Sequence, residues 1–203
     1  MSENEIGDFI KSAIDGTSFE NTKRNVASVL LHDVVFDTQR AIFDLVLKEH
    51  YGPAGALLRV LFEAHVKAVW VARCATEDEI EQLNSDTLKS RRHPRKNMSF
   101  QEMIDNIESL TPNMDGKLSE FKKAHWRGLN SLTHSGALQF KNRIQGAEIG
   151  KAFAPGFVSD LTEFSSRFTI VSFVYLAFLS KNQELIENAL AYSSEKLNIE
   201  FDE

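Results

Sequence analysis

The chain has 203 residues, of which 42% are hydrophobic and 26% charged, as expected for one globular domain with a sizeable core. A single cysteine, Cys74, excludes an internal disulfide and a CxxC metal site, which suits a reducing cytoplasm. The acidic N-terminus has no signal-peptide pattern, and the apolar run 168–179 is shorter than the about 20 residues that span a bilayer. We therefore expect a cytoplasmic protein without a membrane partner.

The net charge of −6 is unevenly distributed along the chain. Between Asp86 and Arg143 there are 11 Lys and Arg against 6 Asp and Glu, whereas the remainder has 12 against 23. Such an asymmetry indicates either a surface that faces a polyanion or two complementary faces of a dimer. Composition alone leaves both interpretations open.

Helical periodicity dominates the N-terminal part of the sequence. A short amphipathic helix is predicted to end near Gly16. Ser18 is a candidate cap for a long second helix that runs to about His50. The predicted apolar face of this second helix includes Val26, Leu30, Val34, Ala41 and Leu45.

Proline and capping signals delimit the next two helices. Pro53 occupies a favoured first-turn position and opens a third helix. This helix is predicted to end before Thr76, where Thr76 and Glu79 form a capping box. A short acidic helix then extends to about Leu88.

The rest of the chain also predicts helices. A basic loop, "KSRRHPRKNM", precedes a second capping box at Ser99 and Glu102. Further helices are expected over 117–133, 157–180 and 182–196, with an irregular segment at 137–156. No alternating strand pattern is evident. The sequence therefore predicts an all-α fold in which residues 1–203 form a single-domain helical bundle with long antiparallel helices.

The stretch "HWRGLNSLTHSG" contains the first candidate site. Arg127, Asn130 and His134 are spaced by three and four residues, which places them on one helical face. Gly136 is a plausible helix terminator, so His134 is expected in the last turn. There the helix dipole favours the imidazolium form, which suits a residue that transfers protons.

The third helix carries a second candidate, the pair Arg59 and Glu63. Their spacing of four allows an ion pair, and the apolar residues around them predict that it is buried. This pair is either structural, fixing the helix register, or part of a polar binding site built from facing helices.

A third candidate is the basic loop. Its cations create a positive potential that would bind phosphates without sequence specificity. The residues concerned are Arg91, Arg92, His93, Arg95 and Lys96, with Lys89 nearby. A solvated loop without a ligand is the alternative.

"RGLNSLTH" resembles the motif of the HEPN superfamily, an arginine and a histidine with four to six residues between them. These all-helical prokaryotic domains occur in toxin–antitoxin and antiphage defence systems. Arg59 and His65 match the same spacing. "GALLRVLFEA" also resembles the arginine-and-glutamate helix of uncharacterised bacterial helical families that carry an Asn- and Ser-rich helix end with a histidine and a glycine.

The resemblance implies a ribonuclease that needs no metal or other cofactor. His134 would be the general acid or base, Arg127 would neutralise charge on the phosphoryl oxygens, and Asn130 would orient the scissile group. It also implies RNA as a ligand and a homodimer whose cleft holds two copies of the motif.

Two other hypotheses remain open. The chain could be a non-catalytic helical module that binds a partner protein or a small ligand through Arg59 and Glu63. Alternatively, Arg59, Glu63, Asn130 and His134 could form one buried structural network. An open location of the arginine–histidine pair would favour an enzyme, and a sealed one a structural role.

Overall fold

The computed structural model describes residues 4–84, 98–111, 116–145, 148–149 and 153–197. Within these residues the chain is an all-α bundle with one two-residue antiparallel β-ladder, which confirms the predicted fold class. The elements in chain order are α1 (Glu5–Ile14), α2 (Lys23–Leu47), α3 (Tyr51–Arg73), α4 (Glu77–Asn84), α5 (Phe100–Ser109), α6 (Lys117–Thr133), α7 (Ala137–Lys141), β1 (Ile144–Gln145), β2 (Glu148–Ile149), α8 (Pro155–Ser180) and α9 (Gln183–Leu197).

Helix α3 is the centre of the bundle. It packs along α2 and also contacts α5, α6 and α8. Phe62 and Trp70 of α3 are almost fully buried, as are Ile42 of α2 and Phe173 of α8. Burying a large apolar side chain stabilises the fold by roughly 1.5–3 kcal/mol, so these contacts fix α3 in place. In the described part of the chain, none of the helices has the length and apolar content needed to cross a membrane.

Both predicted capping boxes form. The Glu102 carboxylate accepts the backbone N–H of Ser99 at 2.6 Å, and the Ser99 hydroxyl accepts that of Glu102 at 3.2 Å. Thr76 and Glu79 make the same reciprocal pair at 2.7 and 3.3 Å. These signals are reliable because each lies within four consecutive residues.

Two predicted helix starts are wrong. Helix α2 begins at Lys23, because the hydroxyl of Thr22, and not of Ser18, accepts the backbone N–H of Asn25. Helix α3 begins at Tyr51, two residues before the predicted Pro53. The chain between α2 and α3 is therefore very short.

The predicted apolar face of α2 is wrong in its N-terminal half, whereas Leu45 packs against the core as predicted. Val26, Leu30 and Val34 are 43%, 58% and 43% exposed, whereas the polar residues Ser28 and Gln39 are fully buried. The Ser28 hydroxyl donates to the carbonyl of Ala68, and Gln39 exchanges two hydrogen bonds of 2.8 Å with Asn4. Because tertiary partners satisfy these polar groups, hydrophobicity does not identify the buried face of α2.

Two histidines lie in the core. His65 is hydrogen-bonded through Nδ1 to the Ser172 hydroxyl at 2.7 Å, while neither ring nitrogen of His32 has a partner among the described residues. The two ring centroids are 6.5 Å apart. Burial lowers the pKa of His32 to about 3 and that of His65 to about 4, so both are neutral at pH 7.

Helix α6 spans Lys117–Thr133 as the sequence predicts, but Gly136 is not the residue that ends it. His134 is the C-cap, and Ser135, with φ 54°, adopts the left-handed conformation expected of Gly136. Gly136 is instead the N-cap of α7, the short helix within the segment predicted to be irregular. A side chain on Gly136 would lie 2.9 Å from the backbone of Ser131, so close approach, and not φ, requires glycine here.

Candidate functional site

Arg59 joins two segments that lie 75 residues apart in the sequence. Its Nε donates to the Glu63 carboxylate at 2.7 Å, as the spacing of four predicts. One of its terminal guanidinium nitrogens is 2.6 Å from Nε2 of His134 at the end of α6. Arg59 therefore bridges the Glu63 carboxylate and the His134 imidazole.

This site is open to solvent. The side chains of Arg59 and Glu63 are 24% and 26% exposed, and His134 is exposed. The predicted pair therefore forms but is only partly buried, because this face of α3 lies at the edge of the bundle. Because water reaches these side chains, a ligand can bind them without unfolding of the core.

The contact with Arg59 defines the hydrogen-bonding role of Nε2 of His134. A guanidinium has only donors, so Nε2 of His134 must be the acceptor. The hydrogen bond therefore places Nε2, and not Nδ1, of His134 against the cation.

Aromatic side chains and a lysine extend the site along α6. The Arg59 guanidinium lies over the ring of Trp126, 4.8 Å from its centroid, and the Lys122 ammonium is 5.3 Å from the same centroid. Phe100 stacks on Trp126 with centroids 5.0 Å apart. Lys122 and Trp126 are not among the site residues that the sequence predicts. A pattern in the sequence could have identified them, because a spacing of four places four residues on one face of α6: Lys122, Trp126, Asn130 and His134.

Arg127 and Asn130 lie on α6 as predicted, but neither is joined to His134 through its side chain. Arg127 is exposed and makes no hydrogen bond or ion pair with any described residue. The Asn130 side-chain oxygen is buried and has no partner within the described ranges. The arginine that contacts His134 is therefore Arg59 and not Arg127. The proposed four-residue network thus contains Arg59, Glu63 and His134, without a side-chain bond to Asn130.

Where the structure describes them, the other site residues that the sequence predicts add no contacts to the Arg59–His134 site. Arg91, Arg92, His93, Arg95 and Lys96 lie outside the described residues. Arg59 and His65, the second match to the arginine–histidine spacing, do not pair, because the bond that His65 makes is to Ser172 in the core. In the ranges that the structure describes, no three His, Cys, Asp or Glu side chains converge as metal ligands.

Comparison with known families matches residues 32–196, which include the whole Arg59–His134 site, to a family described as being of unknown function. No curated protein matches the chain. No solved structure matches it either.

Proposed function

The chain belongs to the family of unknown function DUF6988, and from the geometry of its Arg59–His134 site we propose that it is a metal-independent ribonuclease. The observation that carries this proposal is the hydrogen bond from Arg59 to Nε2 of an exposed histidine. A histidine base beside a cation that can bind phosphate is the pair of groups that RNA cleavage by the ribose 2′-hydroxyl requires.

Each member of the site has a role in this chemistry. Nε2 of His134 takes the proton of the 2′-hydroxyl, whose oxygen attacks phosphorus. The bond from phosphorus to the 5′-oxygen breaks, leaving a 2′,3′-cyclic phosphate and a 5′-hydroxyl that takes its proton from solvent. Arg59 stabilises the phosphoryl oxygens, and Glu63 holds its guanidinium in place.

Binding of the phosphate also releases the base. In the free protein Arg59 occupies the Nε2 lone pair of His134. A phosphate that draws the guanidinium toward its own oxygens frees that lone pair for the 2′-hydroxyl. Arg127 and Lys122 add positive charge along the same helix, which favours a polyanionic substrate.

The test is cleavage of a fluorescently labelled RNA by the purified protein with and without EDTA. We expect His134→Ala to reduce cleavage by at least about 100-fold, since general acid–base catalysis contributes that much or more. The wild-type product should carry a 2′,3′-cyclic phosphate. A 2′-deoxy nucleotide at the cleaved position should block the reaction, and EDTA should not.

His125→Ala is the matched control, because His125 is another exposed histidine of α6 and does not contact Arg59. It should retain full activity. Equal cleavage by wild-type protein and His134→Ala would show that another site, or a contaminant, is responsible. Absence of cleavage by either protein over a broad pH range would refute the proposal.

A second candidate function is a binding module, favoured by an apolar groove between α6 and α8. The groove has a volume of about 500 Å³, and its walls include Leu129, Leu161, Phe164 and Phe168. Such a groove could receive an apolar helix of a partner protein or a small apolar ligand.

Gly128 separates the two candidates. It lines the groove, and a Cβ there would meet only Leu138, at 3.8 Å. Gly128→Trp should therefore fill the groove while leaving Arg59 and His134 in place. Loss of a co-purifying partner with Gly128→Trp, together with no RNA cleavage by the wild-type protein, would favour the binding module.

A further inference from the structure

An open cavity of about 380 Å³ lies beside His134. Thr133 and Ser135, the two chain neighbours of His134, contribute to its wall. Gly52 and Ala56 from the first turns of α3 form the opposite side, and Phe140 and Arg143 lie after α6. The mechanism above uses none of these side chains.

The cavity and the Arg59–His134 site share one surface. Gly52, Ala56, Arg59 and Glu63 are spaced by four, three and four residues, so they follow one face of α3. With a rise of about 1.5 Å per residue, Ala56 is only about 4.5 Å along the helix axis from Arg59. The Thr133 hydroxyl donates to the carbonyl of Ala56 at 3.2 Å, which holds α6 against this part of α3.

Arg143 is held in position at the edge of the cavity. One of its terminal nitrogens donates to the backbone carbonyl of Gln139 at 2.8 Å and also to the Gln139 side-chain oxygen. Gln139 is itself bound to the carbonyls of Gly52 and Leu132 at 3.0 and 2.7 Å. The exposed guanidinium keeps further N–H groups for an anion.

Two features suggest what such an anion is attached to. Phe140 lines the cavity, is 63% exposed and has no ring contact with a described residue, so its face is available for stacking. A methyl group at Gly52 would overlap the Arg143 guanidinium, so glycine allows the cation to lie against the start of α3. An aromatic face next to a fixed arginine matches a base that is joined to a phosphate.

We propose that this cavity is a mononucleotide subsite, in which Phe140 stacks on a base and Arg143 binds its phosphate. The inference rests on the proposed ribonuclease function. It assigns the cavity to the nucleotide next to the scissile phosphate, and the substrate to RNA whose bases are unpaired and free to stack.

The test is calorimetric titration of the 203-residue protein with adenosine 5′-monophosphate, and separately with adenosine and with inorganic phosphate. We expect the monophosphate to bind more tightly than either fragment. Phe140→Ala and Arg143→Gln should each weaken its binding by about 5- to 100-fold, and Phe140→Trp should preserve it. Phe178→Ala is the matched control, because Phe178 is a similarly exposed phenylalanine, at 53%, outside the cavity.

The same variants are assayed for RNA cleavage, so that the subsite and the ribonuclease function are tested independently. Cleavage that depends on His134, without binding of the monophosphate or with equal binding by Phe140→Ala, would overturn the subsite alone. Monophosphate binding that depends on Phe140 and Arg143, without RNA cleavage, would support the subsite and overturn the ribonuclease. Thermal unfolding of each variant verifies that the substitutions at these exposed positions leave the fold intact.

Discussion

Arg59 contacts three side chains, yet its contribution to folding should be small. Its ion pair with Glu63 is partly exposed, and such pairs contribute at most about 1 kcal/mol. Stacking over Trp126 adds a similar or smaller amount. The arrangement therefore serves to position a cation beside His134 more than to hold α3 to α6.

We predict that Arg59→Met lowers the free energy of unfolding by about 1 kcal/mol while RNA cleavage falls at least tenfold. Urea denaturation measures the first quantity and initial cleavage rates the second. Arg40→Met is the control, since Arg40 forms a comparable pair with Asp37 on α2. A loss of several kcal/mol with Arg59→Met would instead identify a structural network.

At the scale of single residues, the sequence predicts the Arg59–Glu63 pair but not the contact between Arg59 and His134. The Arg59–Glu63 pair follows from a spacing of four within one helix, which is a local rule. The contact between Arg59 and His134 depends on how α3 packs against α6, and no local rule specifies it. Helical spacing alone therefore pairs His134 with Arg127, the nearest arginine on the same face.

Helix α2 is the element in which hydrophobic pattern and structure disagree most. It buries Ser28, His32 and Gln39 and leaves Leu30 exposed. The capping boxes were predictable because their partners are three residues apart. Ser28 binds a carbonyl of α3, Gln39 binds Asn4 before α1, and His32 has no hydrogen-bond partner among the described residues, so periodicity could not identify that face.

Burial of His32 and His65 between α2, α3 and α8 should make the bundle sensitive to acid. Their pKa values are about 3 and about 4 in the folded protein, against 6.5 for an unperturbed histidine. Below pH 6.5 the unfolded chain takes up protons that the folded chain does not. Their contribution to stability is therefore complete above pH 6.5 and is lost as the pH falls toward 4.

We predict a loss of about 2 kcal/mol per buried histidine between pH 7.5 and pH 5, measured by urea denaturation. His32→Leu should reduce this loss of unfolding free energy by about 2 kcal/mol, because the substituted residue cannot bind a proton in the unfolded chain. His125→Gln, at an exposed position, should leave it unchanged. If the unfolding free energy of His32→Leu depended on pH as strongly as that of the wild-type protein, the predicted effect of buried His32 would be wrong.

At the scale of the whole molecule, the exposed stripe of Val26, Leu30 and Val34 on α2 fits the predicted homodimer. Antiparallel pairing about Leu30 would bring Val26 of one copy against Val34 of the other. It would also bring Lys23, which pairs with Glu81, near Asp37, which pairs with Arg40, so that groups of opposite charge meet. An isologous contact of this kind is self-complementary in both shape and charge.

We therefore expect the wild-type protein to sediment as a dimer and Leu30→Glu to sediment as a monomer in analytical ultracentrifugation. The introduced carboxylates would face each other across the two-fold axis without compensation. Leu47→Glu, at a comparably exposed position of the same helix, is the control. A dimer that survives Leu30→Glu would place the interface on another face.

The position of Trp126 also has a practical consequence, because the chain has only two tryptophans. Trp70 is 2% exposed in the core, whereas Trp126 lies beneath the Arg59 guanidinium. Any ligand that draws Arg59 away changes the electrostatic field on one indole and leaves the other as an internal reference. The intrinsic fluorescence of the unlabelled protein therefore provides an optical reading of site occupancy, on the timescale of a stopped-flow experiment.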